Sequence, residues 1–150
     1  MICEWAMPVA QSNGLKILVA DDFESMRRIV KHALNSVGFH DVTLAEDGRA
    51  ALALLQRESF DCLITDALLS QVGALDLVRA LRADPRQHSL RVLMISAQAQ
   101  RPQILEAMQA GVDGYLVKPF TAAALKARIE RVMAAVPDTG ATKRTARGPS

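Results

Sequence analysis

Between Lys16 and Val136, short apolar runs alternate five times with apolar positions at helical spacing. Ile17-Leu18-Val19-Ala20 is a continuous apolar run ahead of two carboxylates, which suits a strand buried on both faces. Val42–Ala45, Cys62–Thr65, Val92–Ile95 and Gly114–Val117 read the same way. Between them the spacing predicts helices. The first presents Met26, Ile29, Val30, Ala33, Leu34 and Val37 and stops at Gly38. The second follows a turn at Asp47-Gly48 and presents Ala51, Leu54 and Leu55. The third presents Ala74, Leu77, Val78 and Leu81. A fourth starts near Pro102, a favoured first-turn residue, with Ile104, Leu105 and Met108 on its apolar face. The last carries Leu125, Ile129, Val132 and Met133. Five strand–helix units in succession predict an α/β fold: a doubly wound, five-stranded parallel sheet with right-handed crossovers and helices on both faces.

The flanks carry no such pattern. Residues 1–14 are read as an irregular, disordered leader, and residues 137–150 as a disordered tail. The expected domain is 15–136, with no second domain or output module. Half of the 150 residues are hydrophobic but only 4% are aromatic, so the core must be aliphatic. The net charge is +2, and Lys143, Arg144 and Arg147 against Asp138 place that surplus in the tail. A dedicated nucleic-acid binder would need a larger basic excess, so no DNA-binding domain is expected. No segment reaches the roughly 18 apolar residues of a membrane span. The start lacks the basic and apolar regions of a signal peptide. Cys3 and Cys62 are not expected to pair, which suits a reducing cytoplasm.

Ligands of an open parallel sheet gather at the carboxyl ends of its strands. Asp21 and Asp22 follow the first strand here. Asp66 ends the third, Ser96 the fourth, and Lys118 follows the fifth. Singly, each has an ordinary reading: helix-start acids, a turn residue, a loop hydroxyl, a solvated charge. Jointly they put three carboxylates, a hydroxyl and an ammonium on one edge. Three carboxylates repel one another unless a cation joins them, and hard oxygen donors favour Mg²⁺. A carboxylate can also act as a nucleophile and become an aspartyl phosphate, whose oxygens the cation, hydroxyl and lysine would neutralise.

Leu18-Val19-Ala20-Asp21-Asp22, Leu63-Ile64-Thr65-Asp66, Leu93-Met94-Ile95-Ser96-Ala97 and Gly114-Tyr115-Leu116-Val117-Lys118-Pro119-Phe120 resemble the receiver domains of two-component response regulators. Asp22-Phe23, Met26-Arg27-Arg28-Ile29-Val30 and Ala45-Glu46-Asp47-Gly48 are most similar to the single-domain regulators of chemotaxis. The resemblance implies a flavodoxin-like (βα)5 fold and a phosphorylation switch rather than an enzyme. Asp66 would accept a phosphoryl group from a histidine kinase or phosphotransfer protein. Mg²⁺ would be held by Asp21, Asp22, Asp66 and the backbone carbonyl of Leu68. Lys118 would pair with the phosphate, aimed by a cis bond to Pro119. Ser96 would move onto the phosphate and Tyr115 would turn inward. The surface of the fourth helix, fifth strand and fifth helix would then change its affinity for an output protein, the chain being a monomer or weak dimer.

The loop after Asp66 departs from the family pattern. Leu69-Ser70 and Gly73-Ala74 stand where Met-Pro and Asp-Gly are usual, so a proline's rigidity and a glycine's φ freedom are lost. Leu68 replaces a smaller or polar residue; with Gln98, two positions past Ser96, it flanks the acceptor and is expected to keep water from an acyl phosphate. The alternative function is a receiver-like adaptor that works without phosphorylation. An aspartyl-nucleophile phosphatase would need an acid where Leu68 stands.

Overall fold

The computed structural model describes residues 14–134; the leader and the tail expected from the sequence lie outside the described residues, apart from Gly14. Five strands alternate with five helices. The strands are β1 (Lys16–Ala20), β2 (Asp41–Ala45), β3 (Cys62–Asp66), β4 (Arg91–Ser96) and β5 (Gly114–Val117). The helices are α1 (Glu24–Ser36), α2 (Gly48–Arg57), α3 (Ala74–Ala83), α4 (Arg101–Ala110) and α5 (Ala122–Ala134). A 3-10 turn, Pro85–Gln87, precedes β4. All pairings are parallel, in the order β2-β1-β3-β4-β5. The chain winds outward from β1 to β2, then returns to β3 on β1's other side. The switch point therefore falls between β1 and β3.

Strand side chains alternate between two cores. Leu18, Leu63, Val92 and Met94 join Leu55, Leu77 and Leu81 beneath α2, α3 and α4. Ile17, Val19, Ile64, Leu93 and Ile95 join Val30, Leu34, Leu125 and Ile129 beneath α1 and α5. Burial on both faces is why the central strands read as unbroken apolar runs. Cys62 lies wholly inside, and burial pushes its thiol up to about 12.

Two helices turn otherwise than their apolar spacing predicts. On α1, Ile29 is 55% exposed while Val30 and Leu34 are buried. On α4, Leu105 and Met108 are 48% and 44% exposed, and Ala107 and Ala110 face the core. Small alanines let α4 lie close against Met94 and Tyr115, a geometry that leucine and methionine would obstruct.

Capping and stapling fix the loops. The Asp47 carboxylate accepts from Ala50 N–H at 2.8 Å and starts α2. Gly111, at φ 116, ends α4 in the left-handed region. Across it lies Arg82 of α3, which donates to the carbonyls of Gly111 (2.9 Å) and Leu90 (2.8 Å) and to Asp113 Oδ2 (2.7 Å). The same Asp113 oxygen accepts from Val92 N–H at 2.8 Å. One guanidinium thus joins α3, the residue just before β4 and the α4–β5 loop.

Candidate functional site

The sheet ladder continues one residue past the strands and sets the site. Asp21 N–H donates to Ala45 carbonyl (3.2 Å), Ala67 N–H to Ile95 carbonyl (2.8 Å) and Lys118 N–H to Ser96 carbonyl (2.8 Å). Ala20 is paired with Thr65, so Asp21 and Asp66 emerge side by side at the switch point. Ser96 is paired with Val117, which delivers Lys118 to the same edge.

Asp66 is 5% exposed and Asp21 3%. Lys118 reaches over the end of β4 and places its Nζ 2.5 Å from Asp66 Oδ1. The other oxygen of Asp66 accepts from Leu68 N–H at 2.8 Å. Burial raises the Asp21 carboxyl above the usual carboxylate range, and the charges of Asp66 and Asp22 push the same way. The N–H of Phe23, 2.9 Å from Asp21 Oδ1, and the Lys118 ammonium oppose that rise. The Lys118–Pro119 peptide bond is cis.

The donor set suits a hard cation. Asp21 gives one oxygen to Phe23 N–H and Asp22 gives one to Ser70 N–H. The second oxygen of each has no hydrogen-bond partner among the described residues. Asp66 is drawn to Lys118, and among the described residues no three acidic, histidine or cysteine side chains are already set around one point. Mg²⁺ does not require that, since it keeps several waters and binds through one or two carboxylates. The Leu68 carbonyl accepts no hydrogen bond among the described residues.

On the far side of Asp66 a cavity of about 240 Å³ runs between β4, α4 and Tyr115, lined in part by Leu68, Gln98 and Glu106. Ser96 Oγ accepts from Gln98 N–H at 2.9 Å, which leaves the hydroxyl proton available to a further acceptor. Tyr115 is buried and points inward, its hydroxyl donating to the Gln98 carbonyl at 3.1 Å. Its own carbonyl accepts from Arg128 of α5. Gln98 thus bridges Ser96 and Tyr115. Every residue expected from the sequence, Asp21, Asp22, Asp66, Leu68, Ser96, Tyr115, Lys118 and Pro119, lies at this edge or on the cavity beside it.

The sequence reading missed three contributors. Arg27 of α1 donates to the Asp21 carbonyl at 2.6 Å and holds the acidic turn. Ser70 contributes a backbone N–H, and Gly48 a missing side chain. Gly48 had a signal in the Asp-Gly pair at a helix start, and Ser70 one in standing where a proline is usual.

The response regulator receiver domain, as a family, matches residues 17–130. The chain belongs to this family. A receiver is a signalling switch rather than a conventional enzyme. The chain is 51% identical over 118 residues to the chemotaxis protein CheY of Pseudomonas aeruginosa, covering 79% of this chain and 95% of that one. Its fold resembles the chemotaxis response regulator CheY4 of Vibrio cholerae with a TM-score of 0.74 at 33% identity, covering 79% and 98% of the two chains. It also resembles the receiver domain of a Pseudomonas aeruginosa sensor histidine kinase, described with a magnesium ion coordinated in its active-site cleft. There the TM-score is 0.73 at 28% identity, with 80% of this chain and 98% of that one covered. No helix among the described residues is long and apolar enough to cross a membrane.

Proposed function

We propose that this receiver takes a phosphoryl group on Asp66 from the phosphohistidine of a histidine kinase or phosphotransfer protein, and signals through its α4–β5–α5 face. The observation that carries the reading is the buried Asp66 carboxylate, held 2.5 Å from Lys118 and beside the Asp21–Asp22 pair, in a chain of this family. Asp21, Asp22, Asp66 and the Leu68 carbonyl would hold Mg²⁺. When bound, the ion supplies positive charge that offsets the phosphoryl oxygens.

The chain's own residues do the rest. An Asp66 carboxylate oxygen attacks phosphorus, an O–P bond forms and the N–P bond to the donor histidine breaks. Lys118, already at Asp66, neutralises part of the incoming charge. Ser96 has an uncommitted hydroxyl proton for a phosphoryl oxygen, and turning it there disturbs its bond from Gln98. Gln98 also receives the Tyr115 hydroxyl, so the change passes to β5 and α4. Of these, α4 presents Leu105 and Met108 outward as partner-facing apolar surface.

Any hydrolysis is confined to the chain's own acyl phosphate, with Leu68 and Gln98 limiting water. The receiver spans 15–136 and acts in the cytoplasm as a monomer or weak dimer. The relatives named for chemotaxis support an output in motility control. Transfer from a ³²P-labelled phosphohistidine protein tests the reading. Label should pass to this chain with Mg²⁺ and stay on the donor with EDTA. A folded chain that takes no label under either condition would instead be an adaptor working without phosphorylation.

A further inference from the structure

The loop joining β3 to α3 is anchored on both sides of one residue. The Ser70 carbonyl accepts from Gly48 N–H of α2 at 3.1 Å and from Val72 N–H at 2.8 Å. The Ser70 N–H donates to Asp22 Oδ1 at 3.1 Å. The bond from Val72 back to Ser70 closes a γ-turn around Gln71, whose φ is 70. That turn is strained for a residue with a side chain and persists only where its surroundings hold it. The surroundings are Asp22 on one side and α2 on the other. A Cβ on Gly48 would lie 1.8 Å from the Val72 carbonyl oxygen, so the approach is open to glycine alone.

We propose that the Ser70 N–H is a positioning group for the cation site, and that Gly48 sets its reach. The N–H holds one oxygen of Asp22 and leaves the other for the cation. Hydrogen bonds of this kind, one step out from the ion, orient a ligand and strengthen its hold. The serine acts through its backbone, since its hydroxyl makes no hydrogen bond among the described residues. A proline at 70, usual in receivers, has no N–H to give. The departure noted in the sequence therefore supplies a contact to the acidic pair. This inference rests on Asp22 being a Mg²⁺ holder.

Isothermal titration of Mg²⁺ into the full chain tests it, with circular dichroism to confirm folding. Ser70→Ala keeps the N–H and should bind within about twofold of wild type, whereas Ser70→Pro should bind about tenfold more weakly. Gly48→Ala pushes the loop away without touching a ligand and should weaken binding in the same direction. If it does not fold, the two Ser70 variants decide alone. Equal affinity of Ser70→Pro and Ser70→Ala, in a wild type that binds Mg²⁺, overturns the role of the N–H. A wild type that binds no Mg²⁺ overturns instead the metal reading beneath it.

Discussion

The Lys118 ammonium and the Asp66 carboxylate meet at 2.5 Å across the end of β4, with Asp66 almost wholly buried. The ladder bond from Lys118 N–H to Ser96 carbonyl fixes where that reach begins. Lys118 is the cation that meets the acceptor carboxylate directly, so its loss leaves a buried charge poorly compensated. Lys118→Met should destabilise the fold by about 1–3 kcal/mol in urea unfolding, the cost of stranding a buried acceptor. A stability equal to wild type would show that solvent already screens Asp66.

Asp21 sits on the opposite side of the balance. Its carboxyl titrates above the ordinary value because of burial first and its acidic neighbours after. The folded state therefore holds this proton more tightly than the unfolded chain does. Its contribution favours folding below the ordinary carboxylate range and is lost as pH rises towards the raised value. Asp21→Asn, which keeps an acceptor for Phe23 N–H, should raise the melting temperature at pH 7 and flatten its acid dependence. The same variant should bind Mg²⁺ at least about tenfold more weakly. A lower melting temperature at pH 7 would contradict this charge balance.

How far did the sequence foretell this arrangement? Strands buried on both faces announce themselves, and the chemistry at their ends follows from parallel topology. Hence Asp21, Asp22, Asp66, Ser96 and Lys118 could be placed on one edge from residue order. The facing of α4 could not. Leu105 and Met108 outweigh Ala107 and Ala110 in any count of apolar size, yet close approach to the sheet selects the alanines. Ile29 on α1 misleads similarly. Arg27 meets a backbone carbonyl and Ser70 gives a backbone N–H, so the sequence shows that Ser70 restores a donor but not which acceptor it finds. The left-handed position in the altered loop fell on Gln71 rather than on a glycine.

Leu68 flanks the acceptor with its side chain in solvent, so its substitution separates chemistry from folding. Leu68→Asn should change stability by no more than about 0.5 kcal/mol. It should also speed loss of the aspartyl phosphate, because an amide admits and orders water where an apolar group excludes it. Decay of isolated phosphoprotein over time reads this directly. A decay no faster than wild type would remove Leu68 from the control of hydrolysis.

Arg82 is a structural counterpart to the site, at the other end of the sheet. Arg82→Met should cost about 2–3 kcal/mol, since hydrogen bonds to two carbonyls and one carboxylate are lost together. Phosphorylation of the folded fraction should persist. A loss below about 0.5 kcal/mol in urea unfolding would place the staple among contributions too small to matter.

The most direct measurement is the intact mass of the chain after treatment with acetyl phosphate and Mg²⁺, for wild type and Asp66→Asn. Wild type should gain one phosphoryl group and lose it to hydrolysis on standing once the donor is removed, while Asp66→Asn should gain none. A phosphoryl group on the Asp66→Asn chain, or none on a folded wild type that binds Mg²⁺, would contradict Asp66 as the switch.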